Sequence, residues 1–204
     1  MSMDTASGAS ITTALVSSAR DGCDSARAAL YGELASSIFT LVRRILGSDS
    51  VAEDVLQDTF IHAFTRLEDL RDDAAFSAWL RRIAVNRALS HLRSPWTARR
   101  VDWSTEEFHA VPALAEGHMD TARLEAALDA LPDTARAVVW LYDVEGYTHK
   151  EIAQLMGRSV SFSKTRLARA HASLREMLDG GEELNESQST DEEKPLCVGE
   201  LKTI

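Results

Sequence analysis

Apolar residues recur every three or four positions along much of the chain, which is the period of helices that bury one face. This pattern predicts a helix over residues 30–46, and Gly47 is the residue type that commonly ends one. The pattern returns over residues 51–67 and over Ala74–Leu92. Trp79 falls on the apolar stripe, so a place in the core is favoured over a role as a stacking platform. These helices predict a first helical domain over residues 10–93.

A second domain is predicted over residues 121–178, where helical spacing returns after a break. One helix is expected over residues 132–143, with a proline at its first position. Thr148 and Glu151 form a T-x-x-E capping box that starts a short helix, and Gly157 provides the turn before a long basic helix. A short helix, a glycine turn and a basic helix are the arrangement of a helix-turn-helix.

Two segments lack this pattern. Residues 94–120 contain prolines and no sustained helical period, which indicates a linker. Trp96 and Trp103 make the linker too apolar for a free coil, so we expect it to lie in a groove of a partner. Residues 179–204 hold eight acids and two lysines, which predicts an acidic, disordered tail.

The composition favours an all-α fold in which two small helical domains are joined by a flexible linker. Apolar residues make up 45% of the 204 residues and aromatic residues only 6%, with 10 glycines and 4 prolines. No apolar run approaches the roughly 20 residues that span a bilayer, and residues 1–10 lack the features of a secretory signal. Cys23 and Cys197 form no metal-ligand spacing. We therefore expect a cytoplasmic protein without membrane insertion.

Charge is strongly segregated, although the formal net charge is -10. Residues 49–73 hold eight acids and two arginines, whereas residues 76–100 hold six arginines and no acid. Residues 148–178 hold six basic residues and two acids. Two basic blocks indicate two surfaces that face phosphates, and the acidic block indicates a basic protein partner.

The sequence offers no catalytic constellation. Its six histidines form no H-E-x-x-H or comparable metal spacing, and it contains neither a glycine-rich phosphate loop nor a nucleophile elbow. We therefore expect a protein that is not an enzyme and that uses no metal or cofactor.

Four segments together resemble one known family. Residues Val51–Phe60, VAEDVLQDTF, are similar to the DAEDLVQETF segment of extracytoplasmic-function RNA polymerase sigma factors of the sigma-70 family. Residues Phe76–Ala88 resemble the FxxWLxxIAxNxA helix of these proteins. Leu131–Pro132, Tyr147–Gly157 and Lys164–Ala170 resemble their region-four helix-turn-helix. A helix-turn-helix alone is a weak signal, but the order and spacing of all four segments agree.

The resemblance implies a protein that binds core RNA polymerase, directs it to specific promoters and promotes strand opening. Region two would lie in residues 10–93 and region four in residues 121–178. Promoter DNA is then a second partner, and an anti-sigma factor or another regulator is a further candidate. An acidic stripe would dock on the polymerase, although composition alone favours a solvated helix face. The stripe consists of Glu53, Asp54, Gln57 and Asp58.

The two basic helices would contact promoter DNA. The arginine-rich helix and the loop Leu70–Ala75 are placed by the resemblance where the family captures a flipped base of the −10 element. The expected −10 contacts are Arg71, Arg81, Arg82, Asn86, Arg87 and Arg93. On the recognition helix, an arginine suits a guanine in the major groove of the −35 element and a lysine suits a phosphate. The expected −35 contacts are Arg158, Ser161, Phe162, Lys164, Thr165, Arg166 and Arg169.

The chain departs from the family pattern at two places. Val51 replaces the first acid of the acidic segment. Ser163 stands where the turn into the recognition helix is expected to bury an apolar residue, so Val160 or Phe162 is expected to supply that packing. The alternative function is a helix-turn-helix regulator that acts without polymerase. Such a protein would normally dimerise and has little use for the acidic stripe.

Overall fold

The computed structural model describes residues 13–93 and 121–179, and within these two segments every regular element is helical. The predicted linker lies outside the described residues, and so does the predicted acidic tail apart from Asp179, which is the last residue of the final helix. Helix α1 covers residues 13–20. It is followed by α2 (Asp24–Leu46), α3 (Asp49–Thr65) and α4 (Phe76–Leu92). Two short 3₁₀ turns, Leu67–Asp69 and Asp73–Ala75, connect α3 to α4.

The three long helices of the first half pack against one another around a shared core. Helix α2 ends where the sequence predicted, because Gly47 adopts φ 72° and its N–H donates to the carbonyl of Arg43. The fully buried side chains include Leu30, Ile38 and Phe76, and each such side chain contributes about 1.5–3 kcal/mol of transfer free energy. Trp79 packs against the core with its ring centroid 6.1 Å from that of Phe76, which confirms the core position.

The second half contains α5 (Thr121–Asp129), α6 (Asp133–Val139), α7 (His149–Met156) and α8 (Val160–Asp179). The predicted helix over residues 132–143 is corrected. Regular α-helix begins after the proline and changes to a wider π turn over Trp140–Val144. The sequence carries no signal for this change, because the apolar spacing continues through it.

The predicted capping box is confirmed at the start of α7. Thr148 accepts from the backbone N–H of Glu151, and Glu151 accepts from the backbone N–H of Thr148 at 2.9 Å. The Glu151 carboxylate accepts from both the backbone N–H and the hydroxyl of Thr148, and these two hydrogen bonds lower its pKa. Gly157 ends α7 at φ 64°, and Ser159 caps α8 by accepting from the backbone N–H of Phe162 at 3.1 Å. A glycine turn between α7 and α8 is the predicted helix-turn-helix.

The two halves contact each other along the C-terminal end of α2. Arg43 forms two parallel hydrogen bonds of 3.0 Å to the carboxylate of Asp129, and Arg44 pairs with Glu125. The guanidinium of Arg136, buried at 5% exposure, occupies the space that a β-carbon at Gly47 would need. None of these pairs shows a local sequence signal, because their partners lie about 80 or more residues apart in the chain.

Candidate functional site

The acidic stripe lies on the exposed face of α3, opposite the residues that enter the core. Ala52, Val55 and Leu56 are buried on the inner face. Asp58 lies 3.6 Å from a guanidinium nitrogen of Arg87 on α4, so the acidic stripe borders the basic face of the next helix. All four predicted docking residues are exposed: Glu53, Asp54, Gln57 and Asp58.

The basic face of α4 is partly open to solvent and partly engaged. Arg82, Asn86 and Arg93 are exposed, whereas Arg81 and Arg87 are half-buried. The Asn86 side-chain amide donates to the backbone carbonyl of Arg82 at 2.8 Å, so it rests on its own helix. Arg71, the remaining predicted −10 residue, is exposed in the loop before α4.

A cleft of about 640 Å³ separates α4 from the second domain. Arg81 crosses its edge and forms hydrogen bonds of 2.6 and 3.3 Å to the carboxylate of Glu145, whose side chain is 10% exposed. Burial raises the pKa of the Tyr147 hydroxyl on the same wall. The cleft is lined by Ala78, Arg81, Arg82, Asn86, Arg93, Glu145, Gly146, Tyr147, Glu151, Gln154 and Leu155.

The cleft therefore brings three predicted −10 arginines and Asn86 against residues that sequence analysis did not select. Glu145 is the partner of Arg81 that it missed, because the two residues stand 64 positions apart. A lone glutamate before a glycine gives no sign of a distant arginine partner.

The recognition helix α8 presents part of its predicted −35 set and buries another part. Ser161, Lys164, Thr165 and Arg169 are exposed on it, and Arg158 is exposed just before it. Phe162 is half-buried, with the Arg158 guanidinium 5.8 Å from its ring centroid.

Arg166 lies in a different environment from the exposed members of the predicted set. It is 7% exposed, and its guanidinium lies 5.2 Å from the ring centroid of Phe162. Arg166 belongs to the buried stripe of α8, together with Ser163, Leu167 and Ala170. Contact of Arg166 with a base edge in the major groove stays a prediction, and it would require the side chain to leave this position.

Ser163 also differs from the expectation. It is fully buried, and its hydroxyl lies 3.0 Å from Nδ1 of His149 on α7. The His149 ring stacks on Tyr142 at 4.4 Å between centroids. Val160 is 41% exposed and does not replace the missing apolar residue, whereas Phe162 packs against the core. A polar pair between α7 and α8 thus stands where an apolar contact was expected.

Comparison with known protein families decides which proteins this architecture belongs to. A family model described as Sigma-70 region 2 matches residues 30–97, and one described as Sigma-70, region 4 matches residues 121–174. The RNA polymerase sigma factor CarQ of Myxococcus xanthus is 34% identical over 78% of this chain and 92% of that protein. The chain belongs to the extracytoplasmic-function sigma factors of the sigma-70 family.

Two further relatives show how far the likeness extends. The ECF RNA polymerase sigma factor SigE of Mycolicibacterium smegmatis is 32% identical over 73% of this sigma factor, which spans 60% of the length of SigE. A solved structure of CnrH in complex with the cytosolic domain of CnrY is 27% identical, with a TM-score of 0.49. It covers 83% of this chain and 98% of that one.

Residues 13–93 and 121–179 show neither a membrane-crossing helix nor a metal-binding cluster. No helix there has the length and hydropathy of a membrane-crossing segment. Within the same residues, histidine, cysteine, aspartate and glutamate side chains form no group of three placed to hold a metal ion.

Proposed function

We propose that this sigma factor binds core RNA polymerase through α3, directs it to specific promoters and promotes strand opening. It acts by binding, in the cytoplasm where polymerase works, and leaves RNA synthesis to the polymerase. The observation that carries the proposal is an exposed acidic stripe on α3 beside an exposed basic face on α4. One small domain can then face a basic protein and an anionic strand at the same time.

The acidic stripe is suited to a basic partner for a geometric reason. Glu53 and Gln57, like Asp54 and Asp58, are four positions apart and therefore lie on one line along the helix. Carboxylates in such a row can accept bidentate hydrogen bonds from arginines, which fix register as well as attraction. A helix-turn-helix regulator that works without polymerase would have no use for this row.

DNA binding is divided between the two domains. Arg82, Asn86 and Arg93 supply two charges and one amide at the −10 element, where charge positions the strand and the amide can read a base edge. Holding an unstacked base offsets part of the few kcal/mol that unstacking costs. On α8 the exposed residues Lys164 and Arg169 meet the −35 duplex. An anti-sigma factor or another regulator stays a predicted partner.

A run-off transcription assay with purified core polymerase tests the proposed function. Core alone is expected to transcribe promoter templates weakly and non-selectively, and addition of the full chain should produce discrete promoter-dependent transcripts. Because the target promoters are unknown, fragments of the source genome serve as templates. Absence of any promoter-selective transcript, together with duplex binding by the chain alone, would favour the polymerase-independent regulator.

A further inference from the structure

The guanidinium of Arg20 connects α1 to the loop of residues 70–75. It donates to the backbone carbonyls of Leu67 at 3.4 Å and Leu70 at 3.3 Å. It also donates to one carboxylate oxygen of Asp73 at 3.3 Å, and a shorter contact joins it to the other oxygen. One side chain therefore binds the polypeptide at both sides of an exposed loop.

Helix α1 holds the backbone of Arg20 in place. Val16 and Ala19 are fully buried, so this helix is part of the core of the first domain. The side chains of Arg20 and Asp73 are 29% and 18% exposed, so solvent screens their pairing less than that of a fully exposed ion pair. Residues 13–20 precede the Sigma-70 region 2 match, which begins at residue 30 and assigns Arg20 no role.

The hydrogen bonds within the loop are local, such as that from the backbone N–H of Ala75 to the carbonyl of Asp72 at 3.0 Å, whereas Arg20 ties the loop to α1. Arg71 and Asp72 are exposed, and the Asp72 carboxylate accepts from the backbone N–H of Ala74 at 3.0 Å. Ordering backbone residues costs conformational entropy, and a loop that is ordered before binding avoids that cost when the ligand arrives. Asp73 would also repel a DNA phosphate unless a cation compensates its charge.

We propose that Arg20 is a positioning residue for −10 recognition. It holds the loop of residues 70–75 ready to receive an unstacked base, and it neutralises Asp73 on the side that DNA approaches. The inference rests on the proposed function, which assigns this loop and α4 to the −10 element. The planar fork of an arginine binds two carbonyls and a carboxylate at once, which the ammonium of a lysine does not reproduce.

Trypsin cleavage after Arg71 measures the order of the loop without polymerase or DNA. In the full chain under native conditions, Arg20→Ala, Arg20→Lys and Asp73→Asn are each expected to accelerate this cleavage several-fold. Asp73→Asn leaves α1 intact, so it decides the question even if Arg20→Ala fails to fold. Its native cleavage rate is divided by its rate in urea that unfolds the chain, because the lost acid also changes the cleavage site itself. The control is Arg27→Ala, because Arg27 donates to the carbonyl of Ala19 in α1 at 3.2 Å. Its cleavage rate after Arg71 should equal that of the wild type.

Permanganate reactivity of promoter thymines measures strand opening by the complex with core polymerase. Arg20→Ala is expected to lower open-complex formation about tenfold with unchanged affinity for core, because ordering of roughly one loop residue must now accompany binding. Arg20→Lys should share most of this loss, and Arg27→Ala should open promoters normally.

The possible results separate this proposal from the proposed function. Unchanged cleavage after Arg71 in both Arg20→Ala and Asp73→Asn overturns the positioning role. Faster cleavage with normal strand opening overturns the link to −10 recognition. A wild-type chain that forms no open complex refutes the proposed function instead, and the cleavage rates then decide whether Arg20 orders the loop.

Discussion

Helices α3 and α8 each carry a row of polar residues that the sequence assigned to a partner, but the two rows differ in the structure. On α3 the predicted residues are exposed and lie opposite the buried face. On α8 the predicted set is divided, because Lys164 and Arg169 are exposed whereas Arg166 is buried. Both rows consist of polar side chains, so residue type does not distinguish them. They differ in whether each position faces solvent or the core.

The difference shows that the position of a residue around the helix axis determines whether it is exposed, even when the residue is polar and the position faces the core. Ser163 and Arg166 occupy the inward stripe of α8, and each has a local partner that makes the position acceptable. Ser163 lies within hydrogen-bond distance of His149, and Arg166 lies against the ring of Phe162. A buried polar side chain is tolerated when a neighbouring group satisfies it. Polar residues on the buried stripe of a helix are therefore expected to stabilise the fold rather than to contact a partner.

Among variants that distinguish buried from exposed polar residues of α8, the largest change in stability is expected at Arg166. Arg166→Ala should lower the free energy of unfolding by about 1–3 kcal/mol, because it removes buried packing and the contact of the guanidinium with the Phe162 ring. Arg169→Ala, on the exposed side of the same helix, should change stability by less than about 0.5 kcal/mol but weaken duplex DNA binding. Urea unfolding and fluorescence anisotropy measure the two properties. Equal stability of the two variants would show that burial of Arg166 has no structural role.

A smaller effect is expected at the polar pair between α7 and α8. Ser163→Ala should cost about 1 kcal/mol of stability, because the Nδ1 atom of half-buried His149 loses its partner. Ser161→Ala, at an exposed position of the same helix, serves as the control and should be neutral within about 0.5 kcal/mol. Thermal unfolding of both variants measures the difference. A neutral Ser163→Ala would mean that water replaces the hydroxyl without loss.

On α4, the ion pair between Arg81 and Glu145 in the cleft restrains a predicted −10 residue. Glu145→Gln should free Arg81 and raise the affinity of the chain for single-stranded DNA a few-fold at low salt, with less gain at high salt. Glu176→Gln removes the same charge at an exposed position of α8 and is the control. Anisotropy titrations with a labelled oligonucleotide at two salt concentrations measure the gain. Identical affinities of the two variants would show that Glu145 does not restrain Arg81.

The smallest effect concerns pH and the contact between the domains. The Arg43 guanidinium beside Asp129 holds the pKa of that carboxyl below its ordinary value of 3.8. The contribution of this pair is therefore fully present above pH 3.8 and is lost as pH falls through the lowered pKa. The stability difference between wild type and Asp129→Asn should be below about 1 kcal/mol near neutral pH and should shrink in acid. A difference that stays constant from pH 7 to pH 3 would contradict this assignment.

Much of the fold follows from the sequence because its signals are local. The helical period predicted α2 from residue 30 onward, α3 and α4, although α2 begins at Asp24. The capping box and two glycines predicted the C-terminal end of α2 and the bounds of α7. Contacts that join distant parts of the chain were not predictable, since Arg20, Arg43 and Arg81 show no local sign of their partners. The π turn over Trp140–Val144 was missed for a different reason, because it preserves the apolar pattern of an ordinary helix.

The central claim is that the acidic stripe of α3 binds core polymerase. Asp54→Lys combined with Asp58→Lys places two cations against a basic surface, where like-charge contacts cost several kcal/mol. The matched control is Glu176→Lys combined with Asp179→Lys, which changes the net charge equally at exposed positions of α8. In a core-binding titration without DNA, the folded α3 variant should lose at least about tenfold in affinity, whereas the control should bind like wild type. Wild-type affinity of a folded Asp54→Lys, Asp58→Lys protein would contradict the docking assignment.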